Sequence, residues 1–459
     1  MRLAPNPLAR ALTVASRYSL SALVAVFLVS VAGDNAVAQP AEPPPRAAAG
    51  SDAQVPGSQL TIYLMTMGPG DAIWEKFGHN AIWIHDKAKN TDVAYNWGLF
   101  DFAASDFMSR FLRGDMRYWM GGMDLESTVD FYRRSNRWVI AQELNLTPAQ
   151  RTALARFVEW NALPENRFYS YDYYLDNCST RVRDVIDLAL GGALRPQMET
   201  GLSGFTYRYE TRRLMESDIP VYTGTMLGLG QPVDRRVTGW ELAFLPGRLS
   251  EMLRDAEVRD GTGKLVHLIL SEDTLFAATR EPEPRGAGRS AVDFLPMACL
   301  LFAILTGLAQ AARARAGALR PVFLLVAGIA SFAIGIAGTG LIALWTLTNH
   351  VHSYRNENVL QATPLSLILA VMILAHLRSG ARRDANSPLV GRRTLQLAWI
   401  IVALSGIGLV MKILPGFYQE NHEIIALLLP THLGLALALA GGDIVPARFR
   451  RRRSAVAAS

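Results

Sequence analysis

The chain has 459 residues, half of them hydrophobic, with 46 Lys and Arg against 40 Asp and Glu, a net charge of +6 and only two cysteines. Two cysteines exclude a disulfide-stapled scaffold, and the apolar content excludes a disordered or collagen-like chain. The basicity is local: thirteen arginines, opposed only by Asp384, crowd the stretches 313–320, 378–393 and 448–453. Everything else is net negative, so the positive charge is no footprint of nucleic acid.

Residues 1–38 read as a secretory signal peptide. Arg2, Arg10 and Arg17 precede the apolar run YSLSALVAVFLVSVAG, and Ala36-Val37-Ala38 supplies a small-x-small cleavage site. The run is shorter than the roughly 20 residues of a spanning helix. Residues 39–58, rich in Pro, Ala and Gly, form a flexible linker. The 59–277 stretch that follows is long enough for one sizeable core. LTIYLMTMG (60–68) has the alternation of a strand, GPGD turns into a short helix AIWEKF, and NAIWIHD (80–86) alternates as a second strand. KAKNT then turns into VAYNWG, the hairpin partner. From Pro148 the pattern is helical, with Leu154, Phe157, Val158 and Leu163 on one stripe. In YDYYLDNCSTRVRDVID, Asp176 and Asn177 are helix-capping types, and Val182, Val185, Ile186, Ala189 and Leu190 share one face. Arg181, Arg183, Asp184 and Asp187 share the other, and Gly191-Gly192 stops the helix. This describes an α+β domain.

Residues 278–290 (ATREPEPRGAGRS) read as a second linker, and 291–445 as an all-α membrane domain. Its five apolar segments, about 293–311, 321–347, 359–377, 395–414 and 424–441, can each cross a hydrocarbon core of ~30 Å. The three arginine-rich stretches, including the basic tail 446–459, belong on the cytoplasmic side. The loops near 348–358 and 415–423 then face outward, on the same side as residues 39–290.

Cys178 falls in the first turn of its helix, where unpaired N–H groups and the macrodipole favour a thiolate. Cys299 lies in the first apolar segment, so the exported domain offers Cys178 no disulfide partner. An unpaired cysteine also serves as a small buried hydrophobe, and position does not separate the two roles. The exported histidines are His79, His85 and His267. His79 follows a glycine at a strand start, His85 ends the same strand, and His267 in KLVHLIL reads as partly buried. A Cys–His pair wants a third polar group to fix the imidazole tautomer; Asn96 is one of several in reach of His79. His350 and His352, with Asn356, Asn358 and His422, sit on the outward loops, where they could form a polar pocket for a head group or simply face water. The spacing of His350 and His352 is a weak zinc signal without CxxC or HExxH, so no metal and no other cofactor is expected.

PGDAIWEKFGHNAIWI and ENRFYSYDYYLDNCSTRVRDVI resemble the exported domain of the Lnb-type lipoprotein N-acyl transacylases over most of 60–255. NLTPAQRTALARFVEWNALPENR and TGWELAFLPGRL fit the same pattern, and HVHSYRNENVLQATPL resembles an outward loop of that family ending in N-x-N-x-L and a proline. More distantly, a histidine on a strand followed by an Asn-Cys at a helix start is similar to the permuted NlpC-type, papain-like thiol enzymes, lecithin:retinol acyltransferase among them. The resemblance implies an α+β papain-like extracytoplasmic domain followed by five transmembrane helices, in the inner membrane of a bacterium with the first domain facing the periplasm. It implies Cys178 as acyl-accepting nucleophile and His79 as general base, with the oxyanion held at the helix start around Asn177, Cys178 and Ser179. The partners implied are membrane lipids and a lipoprotein, whose glyceryl-ester acyl chain would pass through a thioester to the lipoprotein's amine. Two other readings stay open: a periplasmic NlpC-type cell-wall peptidase or amidase, and a non-catalytic membrane sensor or assembly protein.

Overall fold

The computed structural model describes residues 55–314, 318–378 and 389–441. The expected signal peptide, all but the last four residues of the first linker, and the tail 446–459 lie outside those residues. In chain order the strands are β1 Leu60–Met67, β2 His79–Asp86, β3 Thr91–Leu99, β4 Arg117–Asp124, β5 Val139–Leu144, β6 Phe168–Ser170, β7 Leu202–Thr206, β8 Arg236–Thr238, β9 Glu257–Arg259, β10 Leu265–His267 and β11 Ile269–Phe276. Seven of them form one sheet in the order β11-β5-β1-β2-β3-β4-β6, with every neighbouring pair antiparallel.

Because successive side chains on a strand point to opposite faces, β1 feeds two cores. Ile62 and Leu64 join Ile82, Trp97, Leu154, Val158, Val182, Ile186 and Leu249 on one face. Met65 and Met67 join Ala81, Ala94, Val129 and Tyr132 on the other. The first face is therefore covered by the helices Pro148–Asn161, Cys178–Ala189 and Pro246–Asp255, and the second by Leu125–Arg134. The Pro148–Asn161 helix starts at a capping box: Thr147 N donates to Gln150 Oε1 at 2.8 Å, and Gln150 N returns a bond to Thr147 Oγ1.

One local expectation is corrected. AIWEKF forms only a 3₁₀ turn, Ile73–Glu75, which leaves Ile73 and Trp74 exposed. Arg183 is buried: its NH1 donates to Trp240 O at 2.6 Å, and its guanidinium lies 3.9 Å from the Trp240 ring centroid. The 278–290 stretch is tied to the α+β domain: Arg280 donates to Pro69 O, Arg213 to Pro284 O, and Tyr222 to Arg289 O, all at 2.8–2.9 Å.

Among the described residues five helices are long and apolar enough to cross a membrane: Ala291–Arg313, Arg320–Leu347, Glu357–Ala375, Arg392–Ile413 and His422–Ala440. The second and third approach closely. A Cβ on Gly338 would lie 2.1 Å from Ala362 O, and one on Gly335 2.4 Å from Leu367 N, the small-residue packing that membrane helices use. The two loops assigned outward by the arginine pattern both touch the α+β half. Asn356 Nδ2 donates to Leu227 O and Gly228 O, Asn358 Nδ2 to Met226 O and Leu227 O, and Gln419 Nε2 to Leu229 O, at 2.8–3.1 Å. They satisfy the last carbonyls of the Ile219–Gly228 helix, which have no intrahelical partner. Beside them Arg212 binds both carboxylate oxygens of the fully buried Glu423 at 3.0 Å.

Candidate thiol site

Asn177 builds the nucleophile's turn. Its backbone is extended, its Oδ1 accepts from Ser179 N at 2.9 Å and Thr180 N at 3.0 Å, and its Nδ2 donates to Tyr173 O and Phe244 O. Thr180 Oγ1 closes the capping box on Asn177 N at 2.7 Å. Asp176 stands outside the cap and pairs with Arg181. Cys178 is thereby fixed as the first residue of the helix, partly exposed.

The sheet opens to meet it. The β2–β3 ladder ends at Ala81–Asn96, and beyond that point the backbone N–H of Asn80 turns to the Cys178 sulfur, joined by the N–H groups of Ser179 and of Cys178 itself. Gly98 lies in this gap with φ +88°, a region costly for other residues; a Cβ there would sit 3.7 Å from Cys178 Cβ. The Asn177 side chain is spent on the cap, and three N–H groups, those of Asn80, Ser179 and Cys178, border the sulfur, with that of Ser179 shared with Asn177 Oδ1.

His79, the residue before Asn80, starts β2. Asn96 Nδ2 donates to Ala94 O at 3.0 Å, so its Oδ1 is the acceptor that faces His79. His79 Nε2–H donates to that oxygen at 3.1 Å, which leaves Nδ1 as the unprotonated nitrogen. Burial, then the Arg137 guanidinium, lower the His79 pKa to about 4 against the opposing Asn96 hydrogen bond. Burial raises the Cys178 pKa, against the N–H groups and Arg137. The resting pair is therefore a thiol and a neutral imidazole. The expected thiolate is corrected: desolvation outweighs the helix N-terminus here.

Sequence reasoning missed Arg137. It is 3% exposed, donates to Gly68 O at 2.8 Å and Glu75 Oε1 at 3.1 Å, and lies 4.6 Å from the Tyr132 ring centroid. Tyr132 in turn stacks on His79. SNRWVI has no motif, and only the pairing of β5 with β1 carries this arginine to the site.

The remaining candidates lie elsewhere. His85 pairs with Asp92 at 2.9 Å at the far end of β2, and His267 is exposed on β10 rather than partly buried. His350 Nε2 donates to Phe111 O at 2.8 Å, and His422 is exposed at the start of the fifth span. Asn356 and Asn358 are buried with their amide donors consumed in the dock, so neither has one left for a head group. His352 reaches the thiol loop: its Nε2 meets both oxygens of Asp172 at 2.8 and 2.9 Å. The same carboxylate accepts from Tyr174 N and Leu175 N at 2.9 Å. Burial pushes the Asp172 pKa up, but these partners hold it below the usual range.

A capped cysteine and a histidine bonded to a buried amide, borne on an α+β domain that is docked on membrane-length helices, describe a membrane-associated protein with a candidate thiol site. Comparison places the first half: residues 48–217 match the family model of the Lnb N-terminal periplasmic domain, so the chain carries a domain of the Lnb type there. No curated protein and no solved structure matches the chain.

Proposed function

We propose that the protein is a cysteine acyltransferase of the inner membrane, with its α+β half on the periplasmic side. The observation that carries this reading is that the Cys178 sulfur borders the backbone N–H of Asn80, the residue after His79, with Asn96 behind the imidazole. The order of strand histidine, hairpin amide and later helix-start cysteine supports a permuted NlpC-type, papain-like relationship, an argument by analogy. In this reading Cys178 Sγ attacks the ester carbonyl of a lipoprotein diacylglyceryl group or a phospholipid, and its proton passes to His79 Nδ1. The ester C–O bond breaks, the departing glycerol oxygen takes that proton, and an S-acyl Cys178 remains. An amine, such as the lipoprotein N-terminus, then attacks the thioester. The C–S bond breaks, an amide forms, and the amine's surplus proton returns to sulfur through His79. The N–H groups of Cys178 and Asn80 would carry the oxyanion charge in both steps.

Intact-protein mass spectrometry in lipid tests this directly. A fatty acyl adduct on Cys178 is expected, absent in Cys178→Ala and strongly reduced in His79→Ala. Release of peptides from purified peptidoglycan without any adduct would favour the wall peptidase instead. Full biological activity in Cys178→Ala would leave only the sensor.

A further inference from the structure

A series of aromatic rings joins the thiol to the outer end of the second span. A side chain on Gly98 would touch both Cys178 and the Tyr171 ring, at 3.7 and 3.6 Å. Tyr171 stacks on Tyr118 at 4.3 Å between centroids, and Tyr118 on Phe100 at 5.0 Å. Phe100 continues to Phe107 at 6.0 Å, and Phe107 to Phe111 at 6.3 Å. Phe111 meets the His350 ring, and two residues on, Arg113 O accepts from Asn349 N at 2.7 Å, just beyond Leu347. Along this series opens a cleft of about 170 Å³ whose apolar lining is Phe107, Phe111, Met116, Tyr118, Trp119 and Phe168. Around it Trp74, Phe102 and Met108 are 59%, 57% and 61% exposed, a contiguous apolar rim of the kind that marks a binding surface.

We infer that this cleft seats a middle segment of the fatty acyl chain presented to Cys178, the part beyond the Tyr171 ring, with the remainder of the chain passing over Phe111 into the bilayer. The inference rests on the acyl-transfer reading and adds where the chain lies. The cleft is too small for a whole long chain, so it holds only a stretch of it, past Tyr171 from the reacting carbon. Its polar lining at Asp101, Asp106 and Arg110 is already engaged, which disfavours an extended peptide that needs backbone partners. Arg110 binds Asp106 and Asp115, and Asp101 accepts from Ala103 N. Arg113 and Arg117 are exposed beside the cleft, where an anionic head group would stand.

Two readouts on the full chain in phospholipid nanodiscs test the seat. In Cys178→Ala, a palmitoyl phospholipid bearing a diazirine at mid-chain should crosslink to Phe107–Trp119 or Phe168. Insertion confined to the spans overturns the proposal, as does displacement of the probe by an extended peptide. In the active protein, Ala104→Trp, at an exposed position lining the cleft, should lower loading of Cys178 from a palmitoyl donor by about tenfold and leave loading from an acetyl thioester unchanged. Equal loss with both donors, or no loss with either, overturns it. Crosslinking in the cleft without an adduct from any donor would sink the acyl-transfer reading and keep the lipid seat.

Discussion

At rest Cys178 holds its proton and His79 holds none to spare at Nδ1, so sulfur becomes nucleophilic only as the imidazole removes that proton. Alkylation of Cys178 by iodoacetamide should therefore keep rising into the alkaline range, with no plateau near neutrality; a plateau at pH 6 would mean a pre-formed ion pair. On the acid side, protonation of His79 removes the base, so acyl loading should persist below the ordinary histidine range and fall as pH drops through about 4. Arg137→Met removes the second cause of that depression and should move the acid limb upward in a pH–rate profile. The linked stability has the same sign: a histidine with a depressed folded pKa contributes stability above its unfolded value near 6.5, lost as pH falls toward about 4. Asn177→Ala should lower stability by about 1–2 kcal/mol through the lost cap, visible as a lower melting temperature. The thiol, the imidazole and the cap were legible in the sequence because each rests on neighbours within a few residues. Asn96 was only one option of several, and Arg137 was invisible, since its role arises from strands far apart in the chain.

At the scale of elements, the site depends on a ladder that stops early. Gly98 keeps β3 away from β2 where Asn80 turns to the sulfur, so Gly98→Ala should strain the backbone at φ +88° by about 1–2 kcal/mol. Acyl loading should fall more than the melting temperature does. β1, β2, β3 and the helices at Pro148 and Cys178 could be read from alternation, caps and glycine stops. β4 could not, because Gly121 and Gly122 interrupt its pattern, and β11 pairs with β5 from more than a hundred residues away. The burial of Arg183 could not be read from its charge: a guanidinium over an indole can be buried when a carbonyl accepts its hydrogen bond. The N-x-N loop misled in the opposite sense, since its amides finish a helix in the other half of the chain.

For the whole molecule, the dock is as consequential as the site. Arg212→Met would strand the Glu423 carboxylate, 0% exposed, without its cation; removing one partner of such a buried pair costs about 3–5 kcal/mol. A lower melting temperature in detergent is expected, partly restored by adding Glu423→Gln. His352→Ala should reduce acyl loading of Cys178 and also lower the melting temperature, because His352 is buried against the Tyr174 ring as well as bonded to Asp172. Fastened at both outward loops, the sulfur keeps one height above the ends of the spans. In the acyl-transfer reading proposed above, an ester reaches it by lateral diffusion in two dimensions. Turnover should follow the surface density of donor in the leaflet and be indifferent to diluting the vesicles.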